Sequence, residues 1–153
     1  NARGIEPLVA LVRDGTDAQK ERAAGALCSL AANDVNQVAV ANAGGIEPLV
    51  TLVCDGTAAQ KEWAAIVLCS LAANDANQVA IANAGGIEPL VALVRDGTAA
   101  QKERAAGALW NLASDNADNP VAIADAGGIK PLVALVRNGT VAQKENAAGA
   151  LCS

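Results

Sequence analysis

The sequence predicts an all-α fold, a solenoid of stacked three-helix units, and three observations lead there. The segment Gly-Ile-Glu-Pro-Leu-Val that opens at Gly4 returns with Ile46, Ile87 and Ile129 in the place of Ile5, and Lys130 replaces the glutamate of the last copy. One unit therefore repeats at intervals of 41, 41 and 42 residues, and the first two copies match at 32 of 41 positions. A period of this length belongs to stacked arrays, in which each unit buries its apolar face against its neighbours. Second, 52% of the residues are hydrophobic with no Phe, Tyr or Met, so Ala, Leu, Ile and Val carry the bulk, a helix-forming mixture. Third, Thr-x-x-Gln recurs once per unit as Thr16 with Gln19, Thr57 with Gln60, Thr98 with Gln101 and Thr140 with Gln143. That pattern is a capping box, which satisfies the orphan amides at a helix start.

The elements follow in order from the second unit. Gly45 to Val53 gives an apolar helix with Pro48 in its first turn, where a missing N–H costs nothing. Asp55-Gly56 ends it. Thr57 caps a longer helix that runs to about Ala73 and stops at Asn74-Asp75. Asn77 to Asn83 then forms a short helix closed by Gly85-Gly86. Arg13, Arg95 and Arg137 near the ends of the first helices complement their dipoles, a small term that Cys54 forfeits. The extra residue of the third unit falls in Asp115-Asn116-Ala117-Asp118-Asn119-Pro120, read as a polar loop. The chain divides into units 1–41, 42–82 and 83–124 and a truncated fourth, 125–153, within a single domain.

Composition excludes several classes of function. A net charge of −5 and pI near 4.6 argue against nucleic-acid binding, which draws its affinity from clustered Lys and Arg. No apolar run approaches the roughly 18 to 20 residues of a membrane span, and no signal peptide is recognisable. Cys28, Cys54, Cys69 and Cys152 lack metal-ligand spacing, and with no His in the chain they read as reduced thiols of a cytoplasmic protein, with a nuclear setting also open. No cofactor is expected. A Ser or Cys nucleophile would lack a His base, and Glu21, Glu62, Glu103 and Glu145 recur at equivalent helix-surface positions, so no catalytic set forms. Asn138-Gly139-Thr140 matches a glycosylation sequon but replaces Asp-Gly-Thr of the other units, which marks it as a turn.

A three-helix unit of this length, carried by GGIEPLVALV, DGT, QKERAAGAL and Leu109-Trp110-Asn111-Leu112-Ala113, resembles the armadillo repeat over essentially the whole chain. The resemblance implies a right-handed superhelix whose longest helices line a concave, peptide-binding groove. A wheel at about 100° per residue places positions 23, 24, 27, 30 and 31, always Ala or Leu, on one side of the long helix. Every difference among the units from position 22 to 32 falls on the other side. Trp63, Ile66 and Val67, which replace Arg22, Gly25 and Ala26 of the first unit, are thus expected to face the groove together as an exposed apolar patch.

Armadillo proteins that hold extended peptides present a ladder of Trp and Asn on these helices. Here the Asn position holds Ser29, Ser70, Asn111 and Ser153, and the Trp position holds Gly25, Ile66, Gly107 and Gly149. Three residues before the latter come Arg22, Trp63, Arg104 and Asn146, a mixed floor that does not favour a basic signal. The expected groove residues are Arg22, Ser29, Trp63, Ile66, Val67, Ser70, Arg104, Trp110, Asn111 and Asn146. Asn111 would grip a peptide backbone. The expected partner is a protein or linear peptide of acidic-apolar character. The alternative is a consensus-like or designed scaffold without an evolved ligand, associating with itself through uncapped repeat ends.

Overall fold

The computed structural model describes residues 4–114 and 116–153. Among them run eleven helices and no strand: α1 (Ile5–Asp14), α2 (Asp17–Ala31), α3 (Asp34–Asn42), α4 (Ile46–Asp55), α5 (Ala58–Leu71), α6 (Asp75–Asn83), α7 (Ile87–Asp96), α8 (Ala99–Ala113), α9 (Asp118–Asp125), α10 (Ile129–Asn138) and α11 (Val141–Cys152). The long helices α2, α5, α8 and α11 stack in one row, and α1, α4, α7 and α10 stack in a second row against it. The result is an α-solenoid. Among the described residues no single helix is long and apolar enough to cross a membrane.

Local chemistry sets the helix ends. Thr57 Oγ1 accepts from the Gln60 amide at 3.3 Å while the Thr57 N–H donates to Gln60 Oε1 at 3.0 Å, and the same reciprocal pair opens α2, α8 and α11. The bend before α7 needs two glycines for different reasons. Gly85 has φ +74°, a left-handed conformation, and a Cβ on Gly86 would stand 2.7 Å from Ile81 Cγ2.

Between the rows lies a continuous core. Leu27, Leu68 and Leu109 from the long helices meet Leu49, Leu90 and Leu132 from the second row, all fully buried. Ala24, Ala65, Ala106 and Ala147 are also fully buried, so small side chains let the helices approach closely. Three of the capping glutamines add a polar link between units. Gln60 Nε2 donates to the Asp17 carbonyl at 3.0 Å, Gln101 to Ala58 at 2.8 Å and Gln143 to Ala99 at 2.7 Å. One amide therefore caps its own helix and fixes the register of the unit before it.

The polar stretch of the third unit differs from its expected loop form. Asp115 lies outside the described residues, but Asp118, Asn119 and Pro120 open α9. Pro120 is tolerated in that first turn and takes the place of Gln78, whose amide donates to the Ala72 carbonyl at 3.1 Å. The third unit instead uses Asn119, buried and donating to the Leu112 carbonyl at 2.7 Å, as Asn36 donates to Leu30 in the first.

Candidate binding groove

The row α2, α5, α8 and α11 presents a narrow open stripe built from one short set of positions per helix. Arg22 and Ser29 are exposed on α2 and Arg104 on α8, while Trp63 and Trp110 are 37% and 41% exposed. Ile66, Ser70, Asn111 and Asn146 are half-buried beside them. Among the described residues Arg22 has no ion pair, and Arg104 meets only Glu103, loosely, at 3.9 Å.

Val67 corrects the expected patch, because it is fully buried. Its equivalents Ala108 and Ala150 are buried as well, whereas Ala26 on α2 is half-exposed. The helices α5, α8 and α11 each have a long helix preceding them and α2 has none among the described residues, so this position packs against the preceding unit. A wheel gives an angle about one axis and omits the flanks that stacked neighbours cover.

Two amides of the stripe also make bonds that the wheel does not show. Asn111 Nδ2 donates to the Cys69 carbonyl at 2.9 Å, and Asn146 Nδ2 to the Glu103 carbonyl at 3.1 Å, so both amides tie adjacent units together. Asn111 keeps its carbonyl oxygen and second N–H for a ligand. The serines at the same rung bond locally: Ser29, Ser70 and Ser153 donate to the carbonyls of Gly25, Ile66 and Gly149, one turn back.

The glycines of the stripe are seats for neighbouring side chains. A Cβ on Gly25 would lie 3.7 Å from Trp63 Cε2, the indole having crossed from α5 onto α2. Trp110 crosses the other way and rests on Gly149 of α11, while Cys69 and Asn146 share the space over Gly107. Cys28 and Cys69 thus join the groove although no cysteine was expected there; their position on the border of the variable side of the wheel was the available signal. Burial pushes both thiols above the ordinary cysteine range, and the nearby Arg104 guanidinium partly opposes that shift.

Comparison with known proteins agrees with this geometry. The armadillo/beta-catenin-like repeat profile matches residues 74–114 and 116–153, more than half of the chain. An engineered protein is similar at 33% identity and a TM-score of 0.89, over 96% of this chain and 60% of its own. Computationally designed armadillo repeat proteins for modular peptide recognition are similar at 28% identity and 0.91, over 97% and 63%. A designed armadillo repeat protein in complex with the peptide (KR)4 is similar at 27% identity and 0.89, over 97% and 63%. The chain thus spans about three-fifths of the length of these solved structures. Among curated proteins no match is found. With the repeating cap, bend and stacked rows, the profile match shows that the chain belongs to the armadillo/beta-catenin-like repeat family.

Proposed function

We propose that the chain is a non-enzymatic interaction scaffold that holds an extended peptide segment along the row of long helices. The observation that carries this reading is Trp63, a large apolar surface left 37% exposed beside half-buried Ile66, with exposed Arg22 and Arg104 at the equivalent position of the long helices on either side. An indole partly open to water between two cations suits an apolar side chain with a carboxylate on either side. Stacked helices lie about 8 to 10 Å apart and an extended chain advances about 3.3 Å per residue. Each unit then meets two or three ligand residues, and the two carboxylates stand about five or six residues apart. A cytoplasmic setting is proposed with this reading from the four free thiols. Fluorescence anisotropy with a labelled peptide carrying Leu between two Asp at that spacing tests it. Saturable binding that Trp63→Arg weakens supports the groove, and equal binding by both proteins overturns it.

A second reading has its own observation. Leu11, Ile129 and Val136 are 38, 46 and 37% exposed, while their counterparts Leu52, Ile87 and Val94 are 4, 6 and 2%. A consensus-like or designed scaffold without a ligand would associate with itself through these faces. Sedimentation of the chain and its Leu11→Lys variant tests this, since a monomer at high concentration in both rules it out.

A further inference from the structure

The short helices carry a charge pattern opposite to that of the groove. No Lys or Arg occurs on α3, α6 or α9, while Asp34, Asp75, Asp118 and Asp125 lie on them and Glu47 and Glu88 open the helices that follow α3 and α6. None of these carboxylates takes part in an ion pair among the described residues. Val38, Val79 and Val121 hold one equivalent position on the short helices and are 41, 49 and 60% exposed.

Between α6 and α9 this surface opens into a trough of about 500 Å³, whose lining includes Val79, Ala122, Glu88, Asp118 and Asp125. The corresponding hollow between α3 and α6 is smaller, about 350 Å³, and Glu47 is its one carboxylate. Acids in a first helical turn, such as Asp118 and Glu88, complement the helix dipole and need no further explanation. Asp125 does need one. It is the last residue of α9, where the dipole opposes a negative charge, and Asn42 and Asn83 fill its place in the other units. Asp118 and Asp125 are seven residues apart on one helix, so they share a face about 10 Å from end to end, with Ala122 between them.

We propose that the α6–α9 trough is a second docking surface, for a basic protein segment with two Lys or Arg residues three positions apart and apolar residues between. In a segment of polyproline II form, with three residues per turn and about 3.1 Å per residue, that spacing puts both cations on one face about 9 Å apart, close to the separation of the two carboxylates. The aliphatic stems lie along Val79 and Ala122, and the cationic heads reach Asp118 on one side and Asp125 with Glu88 on the other. Anionic partners such as nucleic acid are repelled by the same groups. The groove, with Arg22 and Arg104, prefers the opposite charge, so the two faces do not compete for one ligand.

A labelled peptide of about a dozen residues repeating Lys-Val-Ala places a cation at every third position and tests the proposal against its Glu-Val-Ala counterpart. The Lys peptide is expected to bind with an affinity that falls as NaCl is raised. Asp118→Asn with Asp125→Asn should weaken it about tenfold or more, and Trp63→Arg should leave it within about twofold. Val79→Lys, which places a cation in the trough without touching the ends of α9, should also abolish binding, and circular dichroism checks that each variant folds. Absence of binding, equal binding of the Glu peptide, or loss through Trp63→Arg but not through the Asp pair would overturn the proposal. So would self-association that the Asp pair abolishes, because a second copy would then occupy the trough.

Discussion

Trp63 on α5 covers Gly25 on α2, its Cε2 atom standing 3.7 Å from where a Cβ on Gly25 would lie. Trp110 covers Gly149 far more tightly, and a Cβ there would overlap the indole ring. Both glycines sit inside helices, where glycine costs about 1 kcal/mol relative to alanine. Gly25→Ala should therefore gain close to that full amount, because 3.7 Å is an ordinary contact. Gly149→Ala must push Trp110 off its seat and should gain nothing or lose stability. Thermal melts read the difference, about 2 to 4 °C upward for the first, and a red shift of tryptophan emission should accompany the second alone.

The capping glutamines should show a position dependence that capping by itself does not explain. Gln101 Nε2 donates to the Ala58 carbonyl at 2.8 Å and the side chain is buried, whereas Gln19 is exposed and, among the described residues, caps only its own helix. Replacing Gln by Glu keeps the acceptor for the threonine amide and removes the donor. Gln101→Glu sets a carboxylate in a buried side-chain position against the Ala58 carbonyl and should cost about 1 to 3 kcal/mol in urea unfolding. Gln19→Glu should cost a few tenths at most, since among the described residues its side chain bonds only to Thr16.

These links also show where the sequence stops being legible. Helix starts were readable because Thr57 and Gln60 are three residues apart and meet by local geometry. The second bond of Gln60, to Asp17, joins residues 43 apart and exists only once the units are stacked. The same limit hid the burial of Val67 and the bond from Asn111 to the Cys69 carbonyl, because both depend on the neighbouring long helix. Pro120 misled for another reason: a polar, proline-containing stretch suits a loop and a first helical turn equally, and Asn119 settles the matter by bonding the Leu112 carbonyl.

The thiols should separate by accessibility. Cys54 and Cys152 are exposed, while burial raises the pKa of Cys28 and Cys69, with Arg104 pulling weakly the other way. A disulfide reagent at pH 8 should label Cys54 and Cys152 first and the other two in a slower phase. The unfolded thiols ionise before the folded ones, so the contribution of Cys28 and Cys69 is fully present at neutral pH. Stability should fall as the pH rises above the ordinary thiol pKa of about 8.5. A variant with all four Cys replaced by Ala should unfold cooperatively and lose that alkaline dependence.

Replacing Trp63, Ile66 and Val67 by the residues of the first unit combines two effects that the structure separates. Val67 is fully buried, so Val67→Ala removes packing and should cost about 1 to 3 kcal/mol of stability. It should leave the affinity for an acidic-apolar peptide unchanged once the protein is folded. Trp63 is 37% exposed and rests on Gly25 without filling the core, so Trp63→Arg should alter the melting temperature little. If the indole is the anchor of the groove, the same change should weaken binding by about 2 kcal/mol or more. Ile66→Gly falls between the two, with a helix penalty of about 1 kcal/mol and a partial loss of apolar contact. Urea unfolding and peptide titration on the three single variants resolve the pair. A loss of binding that follows stability across all three, led by Val67→Ala, would mean that the apolar cluster only holds α5 against α2 and that the groove floor makes no use of it.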